Sequence, residues 1–277
     1  MSNNLKPSIS ILLPTRGRTQ ALERSIMSLI DMATDPTQLQ FMLAFDNDDK
    51  ESSTYFVNNI AGKINAAAAR YTCLEFAPIG YIRLNEYVNH CAQASSGDWL
   101  MFWNDDAVMQ SANWDQEIQK HTGKFCCLRI PTHNLHPYAI FPIVPRQWYE
   151  LFEYVSPHQL SDAWISQICY MLDIMKNVDI QVLHDRHDLT GNNGDQTFEN
   201  RRMLEGNDKD PRDFNHVTWR QRRFNDAVKI HAYLESVAQD SSWFRNVLEH
   251  KQEPWAKMCS SEFDPNHQLK QYKVVQQ

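Results

Sequence analysis

Residues 97–106 read Gly-Asp-Trp-Leu-Met-Phe-Trp-Asn-Asp-Asp, an apolar run that ends on two adjacent carboxylates. Such a run predicts a buried strand that delivers Asp105 and Asp106 to its exposed end. Hard divalent cations such as Mg²⁺ and Mn²⁺ take oxygen ligands and commonly bridge one or two carboxylates to a substrate diphosphate. Two adjacent aspartates are equally the chemistry of an ordinary turn or a helix cap, so position has to decide between the readings. His184 and His187 follow a second apolar run, residues 180–183. Neutral imidazole is a metal ligand, and the bland reading of either histidine is a residue at the core edge.

The elements that must position these groups alternate. Residues 9–13 predict a buried strand, closed by Pro14 and followed by the turn Thr15-Arg16-Gly17-Arg18. Leu22, Ile26, Leu29 and Ile30 then recur at helical spacing behind Thr19, a candidate N-cap, with Pro36 past the end. Residues 41–45 predict the next strand, which stops at Asp46-Asn47-Asp48-Asp49. A turn near Gly80, a helix from about 85 to 94, the Ser95-Ser96-Gly97-Asp98 turn and the strand 99–103 repeat the pattern. This order predicts an α/β domain with a mostly parallel central sheet flanked by helices. Ligands of such sheets bind beyond the carboxyl ends of the strands, so the polar clusters after the three strands are expected to share one crevice.

Past Ala107 the pattern is weaker. Residues 126–130 and 139–144 predict strands, and Trp164, Ile168, Leu172 and Met175 predict a helix opened by Ser161-Asp162, where a carboxylate is favoured as a cap and by the dipole. Residues 192–214 are polar and predict a long surface loop. Helices at about 217–238 and 241–251 form a C-terminal helical extension. The expected division is therefore an α/β domain over residues 1–200, with 201–277 a loop and helices packed on the same domain.

Composition narrows the function. The 277 residues carry 27 Lys and Arg against 34 Asp and Glu, a formal net charge of −7, so no global basic field draws the molecule to nucleic acid or anionic membrane. The six cysteines include no C-x-x-C pair and predict reduced thiols. No stretch is apolar enough to span a membrane and the N-terminal residues lack a secretory core. The expected location is the cytoplasm of a bacterium or a phage-infected host.

In this order the motifs resemble the inverting family 2 glycosyltransferases of the GT-A fold, in particular small soluble phage and bacterial members. The resemblance covers roughly residues 8–200. It rests on residues 11–18, on Phe45-Asp46-Asn47-Asp48-Asp49, on residues 97–106, and on His187, Gly191, Asp195 and Thr197 at H-x-x-x-G-x-x-x-D-x-T spacing. It implies a nucleotide-diphosphate sugar donor, UDP-linked by preference, and a Mn²⁺ or Mg²⁺ cofactor. Pro14, Thr15 and Arg16 match the loop lining the nucleotide pocket, Asp46 the aspartate that holds base or ribose, and Arg83 and Asn85 further nucleotide contacts. Asn104-Asp105-Asp106 aligns with the Asp-any-Asp metal motif, with Asn in place of the first Asp. Asp106 is then the expected direct ligand, and Asp105 reaches the sugar or the metal. His187 has the family's spacing for completing the metal site and His184 is the second candidate. Asp162 matches the general base that takes the acceptor proton.

Two other classes compete. His184-Asp185 and His187-Asp188 imitate the ligand pairs of metal-dependent phosphohydrolases, which are usually all-helical; a fold that has lost its metal would be a non-catalytic nucleotide-sugar-binding module. The acceptor leaves little mark. Arg220, Arg222, Arg223 and Lys229, interleaved with Trp219 and Phe224, read either as a solvated amphipathic helix or as a DNA-contacting face. On the second reading the acceptor is a hydroxymethylated base of phage DNA; a glycan is the other expectation.

Overall fold

The structure is a computed structural model that describes residue 6 and residues 8–131, 138–192, 212–242 and 245, with the backbone alone at residues 187 and 188. Its centre is a seven-stranded sheet in the order β3-β2-β1-β4-β7-β6-β8. The strands β1 (Ile9–Thr15), β2 (Leu39–Asp46), β3 (Arg70–Phe76) and β4 (Trp99–Phe102) are mutually parallel neighbours. Beyond β4, the short β7 (Ile143–Pro145) runs antiparallel to it and to β6 (Cys127–Arg129), which pairs in parallel with β8 (Met175–Asn177). The sheet is mostly parallel, as the alternation of elements predicts, and it excludes the all-helical alternative.

β2 is buried along its whole length and β1 everywhere except Pro14, because helices cover both faces of the sheet. Alternate residues of each strand serve opposite layers. Ile9, Ile11 and Leu13 of β1 pack with Leu22, Ile26, Leu29 and Ile30 of α1 (Thr19–Met32). Leu12, with Met42, Leu100 and Phe102, faces the other layer. That layer holds α4 (Leu84–Ala94), α7 (Ser161–Leu172) and α9 (Val217–Ser236), whose Ala227, Ile230 and Leu234 join the same core. The short helices α2 (Lys50–Tyr55), α3 (Ala61–Ala66), α5 (Trp114–Gln119), α6 (Arg146–Phe152) and α8 (His187–Thr190) complete the connections.

Several boundaries differ from the sequence reading. The edge strand β3 alternates half-buried and exposed residues, so it shows no continuous apolar run. Residues 139–144 form a strand only from Ile143, since Ala139 to Pro142 lead into it as irregular chain. α1 begins one residue earlier than a Thr19 cap requires: Arg18 is the N-cap, makes no side-chain cap bond, and its carbonyl accepts from Leu22 N at 2.9 Å. The boundary expected at residue 200 and most of the helix expected at 241–251 lie outside the described residues.

One glycine is dictated by packing. A Cβ on Gly97 would lie 2.6 Å from Ser10 Oγ and 2.7 Å from Ser10 N, in the chain leading into β4. Gly97 N donates to Ser10 Oγ at 2.9 Å, and Ser10 Oγ donates to the buried Gln40 Oε1 at 2.8 Å, which ties the starts of β4, β1 and β2 together.

Candidate active site

Because β1, β2 and β4 are parallel, their carboxyl ends emerge at one edge. The register pairs Thr15 with Phe45 but Leu12 with Phe102, so β4 stops three residues earlier than its neighbour. Trp103 N still donates to Leu12 O at 3.1 Å, and the chain then turns at Asn104-Asp105-Asp106-Ala107, with Ala107 N donating to Asn104 O at 3.1 Å. Asp105 and Asp106 occupy the two central positions of this turn, beside the end of β1.

The turn is anchored from beneath by α1. Ser25 Oγ donates to Asn104 O at 3.1 Å and accepts from Trp103 Nε1 at 2.7 Å; Ser28 Oγ accepts from Met109 N at 2.9 Å. After the turn, β5 (Ala107–Met109) pairs antiparallel with β9 (Val182–His184), and the register sets Ala107 opposite His184. Asp185 N donates to Asp106 O at 2.8 Å. Two residues 78 positions apart, Asp106 and His184, thus meet through a three-residue ribbon.

The aspartates do form a turn, but their carboxylates reach outside it. Thr15 Oγ1 donates to Asp105 Oδ2 at 2.7 Å. Arg18 Nη1 donates to Asp105 Oδ1 and to Asp106 Oδ2, each at 3.1 Å. Asp106 Oδ1 is buried without a hydrogen-bond partner, and His184 Nε2 lies 3.3 Å from it, an ion-pair distance without the alignment of a hydrogen bond. His184 Nε2 is also 3.4 Å from Asn104 Nδ2, so the Asn in place of an acidic residue sits against the imidazole. Burial pushes the Asp105 carboxyl up to about 6, against the pull of Arg18. Burial acts in the same sense on Asp106, where His184 and Arg18 outweigh it and hold the carboxyl below the usual range.

Two further clusters flank the turn. Arg16 Nη1 donates to Asp46 Oδ2 at 2.7 Å and its guanidinium also grips Asp48 in a two-point contact. Tyr87 of α4 donates its hydroxyl to Asp46 Oδ1 and accepts from Ile79 N at 3.1 Å; burial first, and the Asp46 carboxylate next, push its phenol up to about 12, so it stays a donor at neutral pH. Arg24 of α1 pairs with the buried Asp185, which also accepts from Asn192 Nδ2 at 2.8 Å. Three arginines of the stretch from β1 to α1 therefore answer acidic groups from β2, from the β4–β5 turn and from the end of β9.

Thr15, Asp105, Asp106 and His184 are brought together through Arg18, and Arg16 with Asp46 forms a separate cluster that flanks them. Arg83 and Asn85 lie at the start of α4: Arg83 is exposed and paired with Glu86, and Asn85 reaches Ser156 O at 3.5 Å. Asp162 lies in the first turn of α7. The N-cap there is Leu160, with no side-chain cap bond, and Asp162 is the sole residue of this helix that is not buried. It is close enough to Tyr138 to push that phenol up, second to burial as a raising influence. The side chain of His187, and all of Asp195 and Thr197, lie outside the described residues.

Arg18, Tyr87 and Arg24 were not singled out as site residues. Arg18 belongs to the quoted Thr15-Arg16-Gly17-Arg18 turn, and an arginine two residues past the nucleotide-pocket loop was the available signal. Tyr87 carries no local signal, since only the fold brings α4 against the end of β2.

The DNA-contacting face fails in one member. Arg223 is fully buried, donates to Phe214 O at 2.7 Å and lies 3.9 Å from the Phe214 ring centroid, so it belongs to the core rather than to a surface. α9 turns this residue inward with Ala227, Ile230 and Leu234 on its apolar stripe. Arg222 lies over Tyr154 and Trp219, and Lys229 over Phe152.

The donor set fits a hard divalent cation: a buried carboxylate oxygen with no hydrogen-bond partner lies 3.3 Å from an imidazole nitrogen, with a second carboxylate beside it. Among the described residues no three His, Cys, Asp or Glu side chains are arranged to hold an ion by themselves. The remaining coordination would have to come from ligand oxygens or water.

No protein-family model matches the sequence, and no curated protein matches it. Solved structures do. The mannosyltransferase PcManGT from Pyrobaculum calidifontis, in complex with GDP-Man and Mn²⁺, is 9% identical with a TM-score of 0.53 over 92% of this chain and 84% of that chain. Glucosyl-3-phosphoglycerate synthase from Mycobacterium tuberculosis, in complex with Mn²⁺, UDP and glucosyl-3-phosphoglycerate, is 15% identical with a TM-score of 0.47 over 67% of this chain and 75% of that chain. S. aureus TarS is 14% identical with a TM-score of 0.46; the match covers 65% of this chain and 35% of TarS. Of these, the mannosyltransferase likeness bears on the fold, and it spans nearly the whole of both chains. No helix among the described residues is long and apolar enough to cross a membrane. With its mostly parallel sheet flanked by helices, the chain has a GT-A α/β fold.

Proposed function

We propose that the chain is a divalent-metal-dependent glycosyltransferase that moves a sugar from a nucleotide-diphosphate sugar to an acceptor hydroxyl with inversion at the anomeric carbon. The observation that carries the reading is the buried Asp106 Oδ1, without a hydrogen-bond partner and 3.3 Å from His184 Nε2, beside Asp105 at the carboxyl end of a central parallel strand. This is where an open α/β sheet binds its ligand. That the solved mannosyltransferase of the same fold holds GDP-Man and Mn²⁺ supports it.

Asp106 and His184 would hold the cation, with His187 the other candidate ligand by its spacing. When bound, the cation neutralises charge that builds on the departing diphosphate. Pro14, Thr15, Arg16 and Asp46 line the nucleotide side, with Asp46 fixed between Arg16 and Tyr87 to accept from base or ribose. Arg83 and Asn85, at the start of α4, would make further nucleotide contacts. Asp162 receives the proton of the attacking hydroxyl at its carboxylate. Its partial exposure in an otherwise buried helix is the feature that favours this role over capping. Attack from the side opposite the diphosphate inverts the anomeric carbon.

A thermal-shift panel of UDP-, GDP-, ADP- and CDP-sugars, each with and without Mn²⁺, tests the reading. A ligand that binds the folded state raises the midpoint, and here the rise has to require both nucleotide sugar and metal. A flat response across the panel rejects the proposal.

A further inference from the structure

Arg18 occupies an unusual place: a single guanidinium nitrogen is shared between the carboxylates of Asp105 and Asp106, 3.1 Å from each. Its side chain is only 11% exposed and those of the aspartates 8% and 5%, so the three charges interact with little water between them. The guanidinium touches the Oδ2 of Asp106 and leaves the buried Oδ1 facing His184. The turn thus has a built-in cation on one side and, on the other, a buried oxygen with no hydrogen-bond partner, 3.3 Å from His184 Nε2.

We infer that Arg18 is the positioning residue that makes metal binding depend on the nucleotide: its charge offsets the acidic pair, so the turn holds a divalent cation weakly alone and firmly with a diphosphate. Charge accounts for the sense of the coupling. The two aspartates and Arg18 together carry one negative charge, and a divalent ion turns that into one positive charge in a buried site. A diphosphate brings the compensating negative charge and oxygen ligands that the protein does not supply by itself. Without Arg18 the pair would attract the metal more strongly and the diphosphate less. This inference rests on the acidic turn being the metal site proposed above.

The test is Mn²⁺ binding read from the free-ion electron paramagnetic resonance signal, with no sugar transfer measured. It uses the full chain, alone and with UDP or GDP, for wild type, Arg18→Gln and Arg18→Lys, each checked for a cooperative thermal transition. Wild type should bind Mn²⁺ weakly alone and at least about tenfold more tightly with its nucleotide. Arg18→Gln should bind Mn²⁺ alone about tenfold more tightly than wild type and lose most of the nucleotide dependence. Arg18→Lys, which keeps the charge, should stay near wild type, whereas a packing role for the guanidinium would make both variants alike. Equal Mn²⁺ affinity in wild type and Arg18→Gln, with nucleotide dependence intact, overturns the role of Arg18 alone. If Arg18→Gln does not fold, a loss of nucleotide dependence in Arg18→Lys overturns it and retention supports it. No Mn²⁺ binding by any form, with or without nucleotide, overturns this inference and the metal-site reading together.

Discussion

Thr15, the last residue of β1, donates its hydroxyl to Asp105 Oδ2 across 90 positions of sequence, at 2.7 Å. Both residues are buried, and the bond fixes one carboxylate of the acidic turn against the carboxyl end of β1. Thr15→Val keeps the shape and β propensity and deletes the donor. A hydrogen bond to a buried charged group contributes about 2 kcal/mol, so the variant should lose about that in urea unfolding. An unchanged unfolding midpoint would show that Asp105 finds another donor.

Asp106→Asn keeps volume and removes the charge opposite His184. Its unfolding transition should stay cooperative, while the Mn²⁺-dependent thermal shift by nucleotide sugar should vanish. Turnover should fall roughly 10²- to 10³-fold, the scale of losing one electrostatic stabiliser of the transition state. Full retention of the metal-dependent shift would move the metal ligand elsewhere.

Asp162→Asn separates binding from proton transfer. Donor affinity by calorimetry should match wild type within a factor of about two, with transfer to acceptor down 10²- to 10⁴-fold, roughly the contribution of a positioned general base. Wild-type transfer by this variant would end the assignment.

Gly97→Ala tests the packing where β4, β1 and β2 begin. The new Cβ would meet the Ser10 backbone nitrogen, which cannot swing away, so about 1–3 kcal/mol should be lost. A denaturation midpoint equal to wild type would mean that the start of β4 shifts at no cost.

His158 gives a pH dependence of known sign. Its Nδ1 accepts from Leu160 N at 3.1 Å and its Nε2 is 3.0 Å from Arg212 O, an arrangement that suits the neutral ring. Burial first pushes its pKa down to about 4. The unfolded chain therefore binds the proton more readily between pH 6.5 and 4, and stability from this group falls as pH drops through that window. The loss approaches about 3 kcal/mol at its lower end. Comparing urea unfolding of wild type and His158→Gln at pH 7.5 and 4.5 isolates it: the gap between the two should narrow on acidification. A constant gap would show that His158 titrates normally.

Much of this was legible in the chain itself. The runs in β1, β2 and β4 are apolar because both faces of the sheet are covered, and the polar residues gather where the strands end, so a parallel α/β sheet with one shared edge could be read directly. The acidic pair after β4 was readable for the same reason: a buried strand must release its polar residues at its tip. Edge strand β3 was not readable, because a strand with one solvated neighbour side needs no continuous apolar run.

What the sequence alone determined is the set of ionisable residues at the strand ends and the periodicities that bring those ends to one edge. Only the tertiary structure decided the partners. It set Arg18 between Asp105 and Asp106, Tyr87 on Asp46, His184 opposite Ala107 and Arg223 inside the core. These pairings depend on strand register, on where a helix starts and on the face a helix turns inward, and each is fixed by packing between segments tens to more than a hundred positions apart. A local pattern of residue types holds no information on such distances.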